Sequence, residues 1–201
     1  MTDRETMDVY AKAADDYARN FSDTKAIDMN QEADLDAFFA RVPKGGLVLD
    51  LGCGPGQWAA RLRDAGLIVD ATDASPEMVQ LAIANYRLNA KLATFEQLTV
   101  EDHYDGIWAN FSLLHASRAD FPGHLGRVHR ALRPGGTLSI GMKLGSGEHR
   151  DSLGRFYAYY REDELRALLT EAGFTVTRSR VGNGKGLAGS DDTFVVMTAH
   201  V

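Results

Sequence analysis

Asp50 ends an apolar run, Val48-Leu49-Asp50-Leu51, and is followed at once by glycines at alternate positions, Gly52-Cys53-Gly54-Pro55-Gly56. Glycine has no Cβ and adopts positive φ at little cost, so such a loop brings backbone amides close to a ligand at the carboxyl edge of a sheet. Gly54 to Ala59 also fits G-x-G-x-x-A, the spacing of a dinucleotide-binding loop. The glycines alone do not choose between ligands. The carboxylate does, because it repels a pyrophosphate and attracts a ligand that carries an ammonium and a sulfonium. Asp73 closes a second apolar run, Leu67-Ile68-Val69-Asp70-Ala71-Thr72-Asp73. A carboxylate there suits the hydroxyls of a ribose, and it suits equally a cap for the helix that begins at Ser75-Pro76-Glu77.

Farther along, Asn110 ends the apolar run Gly106-Ile107-Trp108-Ala109, where it can orient a substrate or cap the strand. His115 can serve as a general base, with an ordinary pKa near 6.5, or can simply hydrogen-bond loop backbone. The segment from Lys143 to Tyr160 is dense in chemistry: Lys143, Glu148, His149, Arg150, Arg155, Tyr157, Tyr159 and Tyr160. Lys143, Arg150, Arg155 and Tyr157 form the candidate substrate site. The cations could hold an anionic group on the substrate, or pair with Glu148 and Asp151 in a solvated lid. The remaining histidines show no ligand spacing, so no metal site is expected.

These side chains need a scaffold. Met7, Tyr10, Ala14, Tyr17 and Phe21 recur at helical spacing, a second helix is expected over 31–42, and Pro43-Lys44-Gly45-Gly46 marks a turn. Tyr10 and Tyr17 share a face. Tyr17 is the better placed to meet a sulfonium by cation–π attraction, although core packing explains the same spacing. Beyond the glycine loop, helical stripes (Trp58 and Leu62; Met78, Leu81 and Ala82; Leu125, Val128 and Leu132) alternate with strands over 67–71, 92–95, 106–109 and 137–142. Such alternation predicts a parallel sheet covered by helices. A last helix carries Leu165, Leu168, Leu169 and Ala172 and stops at Gly173; two strands follow, over 174–181 and 193–200. The glycine-rich stretch Gly182 to Ser190 between them reads as a flexible connection.

With 201 residues, 44% hydrophobic and 25% charged, the chain suits one α/β domain over 1–201, a helical cap over 1–42 preceding a core over 43–201. The sole cysteine, Cys53, permits no intrachain disulfide and fits a reducing, cytoplasmic setting. A net charge of -6 offers no general attraction for nucleic acid. No stretch approaches the about eighteen apolar residues of a membrane span. The expected partner is a small molecule.

Val48 to Gly56, Asp73, Tyr104-Asp105-Gly106-Ile107-Trp108-Ala109-Asn110, Ser112-Leu113-Leu114-His115 and Leu132-Arg133-Pro134-Gly135-Gly136 together resemble class I S-adenosylmethionine-dependent methyltransferases. The segments Lys143 to Glu148 and Gly154 to Tyr157 look most like small bacterial members loosely labelled tellurite-resistance related. The resemblance implies a doubly wound, mostly parallel sheet of order 3-2-1-4-5-7-6 with the last strand antiparallel. It implies S-adenosyl-L-methionine as cofactor, with Asp50 on its amino group through the loop (Gly52, Cys53, Gly54, Gly56). Asp73 and Ala74 would then lie at the ribose, and Ala109 and Asn110 beside the transferable methyl. The family often has an acid after the third strand for the adenine amino group. Here the stretch is Phe95-Glu96-Gln97-Leu98, and Gln97 with the Leu98 amide can supply the required donors and acceptors. Asn110-Phe111-Ser112-Leu113 lacks the Asn-Pro-Pro-Tyr pattern of many nucleic-acid amino-methyltransferases. A small-molecule methyltransferase is therefore expected, with an NAD(P)-dependent oxidoreductase or a non-catalytic cofactor-binding protein as alternatives.

Overall fold

The structure is a computed structural model and describes residues 3–21 and 29–201, apart from the side chains of 14–30. Two helices, α1 (Arg4–Phe21) and α2 (Met29–Phe39), precede β1 (Leu47–Leu51). Then come α3 (Gln57–Asp64), β2 (Ile68–Asp73), α4 (Pro76–Tyr86), β3 (Ala90–Leu92), β4 (Tyr104–Asn110), α5 (Phe121–Ala131) and β5 (Leu132–Lys143). The chain closes with β6 (Glu148–Arg150), β7 (Phe156–Ala158), α6 (Glu162–Glu171), β8 (Thr175–Lys185) and β9 (Asp191–His200). Seven strands form one sheet in the order β3-β2-β1-β4-β5-β9-β8, with β9 antiparallel to both its neighbours. This is the expected order, β8 and β9 being its sixth and seventh strands.

The parallel strands are apolar runs because helices cover both faces of the sheet. Leu49, Ile107, Leu138 and Ile140 bury one face, while Val48 and Trp108 bury the other. The latter face is covered by Leu35 and Phe38 of α2, so α2 is a layer of the core rather than part of a cap. By contrast α1 lies over the carboxyl edge of the sheet, where Thr6 Oγ1 accepts a hydrogen bond of 2.8 Å from the Phe156 amide. Ser75 caps α4 by accepting from the Met78 amide, with Pro76 at the first helical position.

Three local expectations change. Phe95 is not in a strand: β3 ends at Leu92, and Phe95–Gln97 forms a 3₁₀ turn closed by the Gln97 side chain on the Thr94 amide. Within Lys143 to Tyr160, read as either a substrate site or a solvated lid, β6 and β7 pair as an antiparallel ribbon whose β6 residues are exposed. Finally, Gly182 to Lys185 extends β8, in ladder with Asp191 to Phe194, so the first four residues of the glycine-rich stretch are strand and the rest forms the connection to β9. Among the described residues no helix is long and apolar enough to cross a membrane.

Candidate active site

The loop after β1 is stitched to the end of β2. The Gly52 and Cys53 amides both donate to the Thr72 carbonyl, at 2.8 and 2.9 Å, and Asp73 accepts from the Gly54 amide at 2.8 Å and from the Ser75 amide at 2.9 Å. Gly52 has φ +78, and a Cβ there would fall 2.3 Å from Ser112 Cβ, so only glycine lets β1 and β4 end side by side. Gly56 serves a different purpose from ligand contact. At φ +94, its missing Cβ makes room for Ala82 and Leu88, and it is not on the cavity wall.

Asp50 is 2% exposed and lies beneath the loop, next to Asp73. Its Oδ2 has no hydrogen-bond partner among the described residues. Burial first, and the neighbouring Asp73 charge second, push its pKa up to about 8 against the lowering effect of the Ala59 amide. Burial also raises Asp73, opposed by the Ser75, Gly54 and Ala74 amides. Among the described residues no cation lies beside these two desolvated carboxylates, an environment that favours a positively charged ligand.

A cavity of about 450 Å³ runs from this loop along the carboxyl edge of the sheet. At its donor end the wall includes Gly52, Cys53, Gly54, Asp73, Ala74, Met78, Phe95 and Glu96. At its acceptor end it includes Tyr10, Asn110, Phe111, His115, Lys143, Arg155, Tyr157, Asp192 and Phe194. Ala109 is buried in β4 behind Asn110, and Leu98 packs against the core. Gln97 is exposed, its side chain turned back on Thr94; Glu96 reaches the wall in its place. The Tyr17 side chain lies outside the described residues, and Tyr10, one of the two tyrosines on that stripe, meets the cavity.

His115 makes two bonds. Its Nδ1 lies 2.6 Å from the Phe156 carbonyl and its Nε2 lies 2.8 Å from the Tyr10 hydroxyl. Because a carbonyl only accepts, Nδ1 carries the proton and Nε2 accepts from Tyr10. Burial, helped by the positive charges of Arg155 and Lys143, lowers its pKa to about 4, so the ring is neutral at pH 7. Phe111 takes φ +58, uncommon for a bulky residue, and is held by its amide on the Gly141 carbonyl and its ring edge-on to Phe194.

The cations expected to hold an anionic substrate are already matched. Arg155 is 2% exposed; its Nε and Nη2 donate to Asp151 Oδ2 at 2.9 and 2.6 Å, and its Nη1 reaches the Tyr10 oxygen at 3.3 Å. Lys143 Nζ lies 2.7 Å from Asp192 Oδ2 and 3.9 Å from the centre of the Tyr157 ring. Arg150 is off the wall, where it clasps Asp3 at 2.8 and 2.9 Å and Glu5 at 3.2 Å. Glu148 accepts from the Arg118 amide instead of from any of these cations. Sequence reasoning missed Asp192, Phe194 and Phe111, none of which carries a local motif.

A family model described as a methyltransferase domain matches residues 48–136. A protein of Synechocystis sp. described as an uncharacterized methyltransferase is 30% identical over 167 residues, 73% of this chain and 74% of its own length. The malonyl-[acyl-carrier protein] O-methyltransferase of Pseudescherichia vulneris is 32% identical over 140 residues, 69% of this chain but 53% of that protein. Among solved structures, Burkholderia thailandensis 1,6-didemethyltoxoflavin-N1-methyltransferase, with bound 1,6-didemethyltoxoflavin and S-adenosylhomocysteine, superposes with a TM-score of 0.78. The two share 26% identity over 98% of this chain and 87% of the other. The unpartnered Asp50 oxygen beneath the loop and the Asp73 carboxylate on the wall fit the cationic, ribose-bearing cofactor of these enzymes, and not the diphosphate of a dinucleotide. The chain therefore belongs to the S-adenosylmethionine-dependent methyltransferases.

Proposed function

We propose that this methyltransferase acts in the cytoplasm on a small-molecule acceptor, bound where the cavity passes beneath α1 and the β6–β7 ribbon. The observation that carries this reading is the continuity of one cavity from the glycine loop to the Phe111, Tyr157 and Phe194 walls. Its volume of about 450 Å³ is in the range of small-molecule sites. The Burkholderia thailandensis neighbour, which holds 1,6-didemethyltoxoflavin and S-adenosylhomocysteine together, supports the same reading. The buried free thiol of Cys53 fits a reducing compartment.

When bound, S-adenosylmethionine supplies an electrophilic methyl group on a good leaving group. The chain's own residues then have to align the acceptor and exclude water, and alignment can contribute about 7–11 kcal/mol. Asp73 would accept from the ribose hydroxyls, and Asp50 would favour the amino group electrostatically. Asn110, on the wall at the end of β4, would orient the acceptor. His115 fits a positioning role better than that of a base: its lone pair is engaged by Tyr10 and its basicity is low. Its two bonds tie α1, through Tyr10, to β7, through Phe156, over the cavity.

Incubation with isotopically labelled donor and a metabolite extract, followed by mass spectrometry, tests the proposal. Label in a product of a few hundred daltons, about the size such cavities hold, is the expected result. Label confined to protein or nucleic acid in a whole-cell lysate would refute it.

A further inference from the structure

Among the described residues, every charged group deep in the acceptor end has an internal partner. Lys143 and Asp192 are 2.7 Å apart with side chains 11% and 17% exposed, and Arg155 and Asp151 are 2.6 Å apart at 3% and 10%. Lys143 also rests on the face of Tyr157, a cation–π contact that adds to the ion pair. The turn after β8 covers the first pair: a Cβ at Gly186 would fall 2.5 Å from Asp192 Oδ2. The other charged groups near the acceptor end, Lys185 and Asp3, belong to the rim. Lys185 is exposed and faces Asp191 across the β8–β9 ladder, while Asp3 carries Arg150.

We infer that the acceptor is a flat molecule without a negative charge, and that Asp192 sets this preference by holding Lys143 as an internal ion pair. The inference rests on the small-molecule reading above. A carboxylate entering the cavity would have to displace Asp192 from Lys143 and leave a buried acid unpaired. It would also share the cavity with Asp73 and Glu96 at the other end. An uncharged ring meets neither obstacle. Phe111 and Phe194, edge to face at 5.3 Å, and the Tyr157 ring offer it aromatic walls.

Benzamide and benzoate, alike in shape and different in charge, are suitable probes, titrated into protein saturated with S-adenosylhomocysteine and followed by calorimetry or ligand-observed NMR. The parent protein should prefer benzamide. D192N frees the Lys143 charge and should tighten benzoate by about tenfold or more, and adding K143M should remove that gain. Thermal unfolding of each variant checks that it is folded. Absence of any benzoate gain in folded D192N overturns the inference, as does a parent that takes benzoate as well as benzamide. A second readout needs no variant. Treatment of the labelled extract products with mild base should leave the label in place, as N-methyl and aryl-ether groups do, whereas release of methanol from methyl esters overturns the inference. Failure of the small-molecule reading itself is distinguishable, since it would appear as no labelled metabolite at all while the benzoate gain in D192N persisted.

Discussion

The two ends of the cavity treat charge in opposite ways. At the donor end Asp50 and Asp73 are held by backbone amides, those of Ala59 and of Gly54, Ala74 and Ser75, and burial raises both pKa values. At the acceptor end Asp151 and Asp192 each hold a cation of the chain itself, Arg155 and Lys143. Acids supported, among the described residues, by amides alone gain from a positively charged ligand brought from outside. Acids already paired gain nothing from one, and they screen their cations from anions. One sheet edge thus carries acids suited to a cationic ligand beside a space whose charges are already balanced.

Removing one member of a pair should separate the two ends most sharply. Arg155→Ala leaves Asp151 partly buried without its cation and should cost about 3–5 kcal/mol of stability, read as a fall in Tm; an unchanged Tm would mean that the pair is not structural. At the donor end the loss should appear in binding. Asp73→Ala removes the acceptor of the Gly54 and Ser75 amides as well as the ribose contact, and S-adenosylhomocysteine should bind about 100-fold more weakly, about 2.7 kcal/mol. Affinity within a few-fold of the parent would remove Asp73 from the site.

Asp50 provides a subtler contrast. Its folded pKa, about 8, lies above the ordinary carboxylate value of 3.8, so the ligand-free protein holds a proton there that the unfolded chain has lost. Stability from this group is present below the ordinary value and is lost as pH rises toward about 8. Asp50→Asn should flatten that decline in urea titrations of the ligand-free protein. In the parent, cofactor binding near pH 7 should release a proton, visible as a dependence of calorimetric enthalpy on buffer ionisation, and affinity should rise with pH up to about 8. Affinity independent of pH between these limits would contradict the assignment. The smallest effect is expected at Arg150, whose clasp on Asp3 and Glu5 is open to solvent. Arg150→Ala should change the acceptor KM by less than about twofold at physiological salt, and a large change would bring Arg150 back to the substrate site.

The alternation of strands and helices, the two acids and the glycine loop were legible because each signal is local, whereas the strand order came from the resemblance to the family. Asp50 and Asp73 end runs whose apolar character follows from burial on both faces, and Ser75-Pro76 starts a helix by its own capping chemistry. Gln97 misled because an amide that can read an adenine can equally close its own 3₁₀ turn, and the nearer partner, Thr94, won. Gly56 misled because a missing Cβ serves helix packing as readily as ligand approach. The β6–β7 ribbon was invisible because its strands are three residues each and alternate too briefly to show a period.

The sequence by itself determined the glycine loop and the carboxylates at the two strand ends, since these follow from neighbours along the chain. Only the tertiary structure decided the acceptor end. Tyr10 meets His115 across 105 positions of the chain, and Lys143 had several acids within reach of any reading. Its pairing with Asp192, and not with Glu148 or Asp151, arises where β5 and β9 run side by side. Charge can be counted along a chain, but whether it is already neutralised depends on which strands the fold brings together.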